Sequence, residues 1–98
     1  MWATKYIEIL QAGEEVSFRP TGNSMTPKIK SKQLCTVSPD ISDLQIDDIV
    51  LCKVKGNQYL HLIKAINRGR YQIGNNHGHI NGWININAIY GKLIKVED

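Results

Sequence analysis

The feature that most constrains this chain is a succession of short apolar runs, each ended by a turn-forming group before a helix could develop. From residue 15 onward, segments near 15–20, 33–38, 48–55, 58–66, 70–74 and 88–96 are rich in Val, Ile, Leu, Tyr and Thr. Runs of this length and composition, separated by turn residues, read as β-strands. Lys55-Gly56-Asn57 joins two of them through a tight connection and predicts a β-hairpin over about 48–66, and Asn67-Arg68-Gly69 makes the next reversal. Ile49-Val50-Leu51-Cys52 and Leu60-His61-Leu62-Ile63 are apolar on both faces, as strands covered on both sides are. The expectation is a mainly β fold, an antiparallel sheet that coils or forms a small barrel.

The stretch ahead of the strands has a different period. Trp2, Ala3, Tyr6, Ile7 and Leu10 recur at three- and four-residue spacings, which predicts one amphipathic helix over 2–12, and Gly13 supplies its C-terminal stop. With 98 residues the chain is long enough for one modest core and too short for two. It therefore divides into an N-terminal helix, 1–13, and a β-rich core, 14–98, within a single domain.

Composition excludes more than it assigns. A hydrophobic share of 42% and a charged share of 21% are those of a globular domain. The net charge of +3 comes from scattered lysines without a basic run, which argues against a nucleic-acid partner. No apolar stretch approaches the roughly 20 residues of a membrane-spanning helix, and Met1-Trp2-Ala3-Thr4-Lys5 lacks the apolar region of a secretory signal. A cytoplasmic location without a membrane anchor is expected. Cys35 and Cys52 fall inside predicted strands without metal-ligand spacing and read as buried thiols. No metal or cofactor is expected: His77 and His79 lack a third ligand nearby in sequence.

Two segments interrupt the strand pattern. In the first, Val16, Phe18 and Pro20 alternate into a Gly22-Asn23 break, after which Ser24 stands at the tip of a corner. Thr26-Pro27 then reads as an N-cap with Pro at the first position of a short helical turn. The second is Ile73 to Trp83, where Gly and Asn recur, predicting an irregular loop. That loop is either a wall of a site or a long surface turn capped by a buried Trp83.

Gly22-Asn23-Ser24-Met25-Thr26-Pro27-Lys28-Ile29 resembles the G-x-S-M-x-P-x-I box of the LexA-type and signal-peptidase superfamily, in which the serine before methionine is the nucleophile. Asp48-Ile49-Val50-Leu51 resembles that family's G-D-I-V strand start, and Tyr59-Leu60-His61-Leu62-Ile63 the strand that carries its general base. Gly74-Asn75-Asn76 resembles its G-D-N loop and Tyr90-Gly91-Lys92-Leu93-Ile94 its final G-K-V strand. The resemblance spans about residues 15–96 and implies a coiled β-sheet carrying a serine peptidase site. In it Ser24 is the nucleophile, His61 takes the base position held by lysine or histidine in the family, and the backbone amides of Ser24 and Met25 form the oxyanion site. Lys64 does not substitute for His61, since an offset of three in a strand points to the opposite face.

The sequence also departs from the family pattern. Asn75 stands where the histidine-type members carry an aspartate, with Asn81 as counterpart to a later one; Leu62 replaces an arginine, and Lys32-Gln33 a Gly-Asp pair. Asn75 or Asn76 is expected to orient the His61 ring, with Asn81 a further candidate orienting or loop residue. Two readings follow: a serine peptidase-like hydrolase acting on a peptide or protein through a Ser24–His61 dyad, with weak or absent turnover, and a catalytically dead relative that binds a protein partner as regulator or inhibitor, as a phage or mobile element would use. A homodimer is left open. Family members cut themselves at an Ala-Gly bond upstream of the serine, so Ala12-Gly13 is a candidate self-cleavage site, disfavoured by the strand that leads away from it.

Overall fold

A computed structural model describes residues 1–98. One helix, α1 (Thr4–Gln11), precedes seven strands: β1 (Val16–Phe18), β2 (Leu34–Ser38), β3 (Ile49–Val54), β4 (Asn57–Asn67), β5 (Arg70–Gly74), β6 (Ile80–Asn85) and β7 (Ile89–Glu97). All strands belong to one antiparallel sheet in the order β1-β2-β7-β3-β4-β5-β6. The mainly β expectation is met, and the sheet stays open, with β1 and β6 at its two edges.

Local chemistry sets the main reversals. Lys55 and Gly56 both have positive φ, as do Arg68 and Gly69. These are the two-residue turns whose twist matches that of the flanking strands, and they fix the register of β3 on β4 and of β4 on β5. At the end of α1, Gly13 has φ 86°; its N–H donates to Leu10 C=O and that of Glu14 to Ile9 C=O. That pairing caps the last helical carbonyls, a role only glycine fills without strain.

The sheet coils between two apolar clusters, which explains why its central strands are apolar on both faces. One holds Ile7 and Leu10 of α1 with Phe18, Met25, Ile29, Val37, Leu51, Leu60 and Leu62. The other holds Val50, Cys52, Val54, Ile63, Ile73, Ile84 and Ile89. The helix docks closely: a methyl group at Gly91 would lie 2.6 Å from Val37 and 3.0 Å from Leu10. Cys35 and Cys52 are free and buried, and burial pushes the Cys52 thiol up to about 12.

Two expectations are corrected. Residues 80–83, expected to lie in the irregular loop, belong instead to edge strand β6, paired with β5 through a bulge. Gly and Asn have low strand propensity, and they mask the alternation of Ile80, Gly82 and Ile84 with Asn81, Trp83 and Asn85. Trp83 itself is 40% exposed rather than a buried cap. The short helical turn expected after Ser24, with Thr26 as N-cap and Pro27 at its first position, is present only as one bonded turn that begins earlier, at Met25. Thr26–Pro27 is a cis peptide, and Met25 to Ile29 forms a single turn closed by Ile29 N–H on Met25 C=O. Thr26 does not cap a helix; its hydroxyl donates to Asn23 C=O and its own C=O accepts from Asn76 Nδ2, a partner outside the segment.

Candidate active site

The segment between β1 and β2 carries Ser24 at its tip and is fastened at three points. At its base, Lys32 N–H donates to Pro20 C=O and Arg19 Nη1 donates to Lys32 C=O. Underneath, Met25 and Ile29 are each 5% exposed and anchor the turn in the core. Gly22, with φ 109°, permits the bend just before the serine. Ser24 itself stays exposed.

At the tip, the loop between β5 and β6 grips this turn. Asn76 N–H donates to Ser24 C=O, Asn76 Nδ2 to Thr26 C=O, and His77 Nε2 lies 3.0 Å from both Asn23 C=O and Thr26 Oγ1. The grip depends on Asn75, whose Oδ1 accepts from the N–H groups of His77 and His79 and so folds the loop. Gly74 makes the tight entry possible, since a methyl group there would lie 2.6 Å from His79 O. The loop from residue 75 to residue 79 thus braces the turn that carries Ser24 and lines no part of the cleft beside it.

Opposite Ser24 stands His61, in the middle of β4 and paired with Val50 of β3. Ser24 Oγ is 3.2 Å from His61 Nε2, and Asn81 Oδ1 is 2.7 Å from His61 Nδ1. Tyr59, two residues earlier on the same strand, stacks against the imidazole at 4.8 Å between ring centroids. His61 is 7% exposed, and burial holds its pKa below the ordinary histidine value. The bond to Asn81 opposes that shift, whereas the nearby His79 adds to it. The ring is neutral at pH 7. With Nδ1–H donating to the Asn81 carbonyl, the lone pair of Nε2 faces the Ser24 hydroxyl, the tautomer a general base requires.

Two further groups meet the needs of acyl chemistry. Neither the Ser24 nor the Met25 amide N–H donates within the protein, which leaves both free for an oxygen that gains negative charge beside the serine. A cleft of about 150 Å³ opens next to the dyad, with Trp2, Met25, Ile29, Leu60 and Lys30 among its walls. Lys64 lies in the β4 bulge, with its stem beside Gly74, and makes no hydrogen bond to Ser24.

The asparagines divide differently from the expectation that Asn75 or Asn76 orients His61. Asn81 orients the ring; Asn75 shapes the loop and Asn76 ties it to the nucleophile turn. Sequence reasoning missed Trp2 as a cleft wall and Gln58 as its support. Gln58 Oε1 accepts from Ala3 N–H, its Nε2 donates to Thr4 Oγ1, and its C=O accepts from the Trp2 indole. A glutamine beside the apolar run Tyr59 to Ile63 was the signal available. Ala12 and Gly13 do not line the cleft at Ser24.

No three His, Cys, Asp or Glu side chains come together in a way that would hold a metal ion, and no helix is long and apolar enough to cross a membrane. Comparison with protein-family models, with curated proteins and with solved structures finds no match to this chain.

Proposed function

We propose that this protein is a serine hydrolase of the LexA and signal-peptidase type that acts on a peptide or protein through a Ser24–His61 dyad. The observation that carries the reading is the line of three groups, Ser24 Oγ, His61 and Asn81, at 3.2 and 2.7 Å. A serine hydroxyl is a weak nucleophile until a base takes its proton. In the proposed reaction Ser24 Oγ attacks a peptide carbonyl while His61 Nε2 accepts the hydroxyl proton. The Ser24 and Met25 amides receive the oxyanion. His61 then passes the proton to the departing amine, and water, activated by the same imidazole, cleaves the acyl-serine. The sequence box around Ser24 supports the same assignment by resemblance.

Asn81 limits the rate. An amide holds the ring in position and in the right tautomer but does not neutralise the imidazolium formed during attack, as the carboxylate of a serine-protease triad does. This favours a second reading, in which the fold is retained for binding a protein partner as a regulator or inhibitor.

The test is incubation of the wild type and Ser24→Ala with a proteome-derived peptide mixture, with products read by mass spectrometry. The hydrolase reading expects cleavages that vanish in Ser24→Ala; identical product sets from the two proteins would overturn it.

A further inference from the structure

We propose that the cleft beside Ser24 is a subsite for an apolar side chain of the size of leucine or a phenyl ring, carried by an extended peptide whose neighbouring residues are acidic. Size comes first. A volume near 150 Å³ accommodates a benzene-sized group, and the cleft has that volume. Met25, Ile29, Leu60 and the indole of Trp2 make its apolar part, beside the polar Ser24, Lys30 and His61. The Trp2 wall is held in place, since its indole N–H donates to Gln58 C=O at 3.1 Å and the next residue, Ala3, is tied to the Gln58 side chain at 2.8 Å.

Length and charge supply the rest. Trp2, Pro20 and Thr21 also line a second concavity of about 410 Å³ that continues past Tyr6, Phe18 and Arg19. The two together make a groove longer than one side chain. Its rim carries Lys30 over the first part and Arg19 over the second, and no Asp or Glu lines either. The ion pairs of the protein, Lys92–Asp48 and Lys95–Glu97, lie elsewhere, so Lys30 has no side-chain carboxylate of its own; Arg19 Nη1 already donates to Lys32 C=O and Asp98 C=O and contributes its charge rather than a free donor at that nitrogen. A ligand that places one apolar group in the cleft and carboxylates along the rim satisfies both features.

This subsite rests on the hydrolase reading only in its nearness to the nucleophile, and its test reads binding alone. The host protein is Ser24→Ala combined with Trp83→Phe, which prevents turnover and leaves Trp2 as the single tryptophan, within the cleft wall. Its fluorescence is titrated with acetyl-Glu-Glu-Leu-Glu-Glu-amide, the same peptide with Gly for Leu, the Lys-Lys-Leu-Lys-Lys analogue, and a thymidine oligonucleotide. We expect a saturable change in Trp2 emission with the first peptide, with binding weaker by about tenfold or more for the Gly and Lys peptides. Lys30→Glu, at an exposed position, should reverse the charge preference. Equal affinity for the Gly peptide, no saturable change with any peptide, or tighter binding of the oligonucleotide would overturn the proposal. Selective binding by this host alongside a wild type that cuts nothing would leave the subsite standing and remove the hydrolase; cleavage without this selectivity would do the reverse.

Discussion

Asn81 Oδ1 sits 2.7 Å from His61 Nδ1, placing an amide behind the imidazole where a carboxylate would stabilise its charged form. Asn81→Asp supplies that carboxylate at the same distance. An adjacent negative charge favours the imidazolium, so the His61 pKa should rise, as read by NMR titration of the ring protons. Turnover should rise with it by about tenfold or more, because the carboxylate stabilises the imidazolium formed during attack. Asn81→Leu should lower turnover. A pKa that does not move in Asn81→Asp would show that the two side chains do not interact in solution.

The depressed pKa of His61 makes stability depend on pH in a definite direction. Burial favours the neutral ring in the folded state, so the unfolded chain takes up a proton first as pH falls. Stability from this group is therefore complete above about pH 6.5 and is lost between there and the lower folded-state pKa. One such group changes stability by at most about 1.4 kcal/mol per pH unit. Urea unfolding between pH 7.5 and 5 should show a falling midpoint in the wild type and a flatter profile in His61→Gln. Matching profiles would mean that His61 is not buried as a neutral ring.

Asn76 is a positioning residue for the nucleophile. Asn76→Ala removes the bond from Nδ2 to Thr26 C=O but keeps the backbone bond to Ser24 C=O. The stability cost should be about 1 kcal/mol. The expected effect on peptide hydrolysis is a lower kcat with KM nearly unchanged, because the serine loses alignment while the cleft at Trp2 is untouched. A change confined to KM would place Asn76 in binding instead.

Gln58 is 7% exposed and holds the start of α1 through two side-chain bonds. Gln58→Ala leaves the Ala3 N–H without its partner, a loss of about 1–3 kcal/mol. Thermal unfolding should move down accordingly, and Trp2 emission should shift to the red as its wall of the cleft loosens. Unchanged emission would show that Trp2 is fixed by other contacts.

Most of the architecture was legible because short-range chemistry decides it. Lys55-Gly56 and Arg68-Gly69 mark their turns between two strand-like runs, and the spacing of Ile7 and Leu10 together with Gly13 marks α1 in the sequence. What was not legible depends on partners distant in sequence. Strand β6 is written in Gly and Asn and exists because β5 offers it an edge. The Thr26 carbonyl in the turn after Ser24 is satisfied by Asn76, fifty residues along the chain. The choice of Asn81 over Asn75 as partner of His61 follows from β6 being a strand, which sets the Asn81 side chain against the ring. Trp2 is held at the cleft by Gln58, far along the chain, and by the rings of Tyr6 and Phe18.

The central claim, that Ser24 is a nucleophile driven by His61, is tested most directly by labelling with a fluorophosphonate and locating the adduct by peptide mass spectrometry. The account predicts a covalent adduct on Ser24 in the wild type and none at that position in Ser24→Ala. It also predicts a labelling rate that falls as His61 becomes protonated at acid pH, and a loss of about a hundredfold or more in His61→Ala. An unlabelled Ser24, or a Ser24 labelled at the same rate with and without His61, would contradict it.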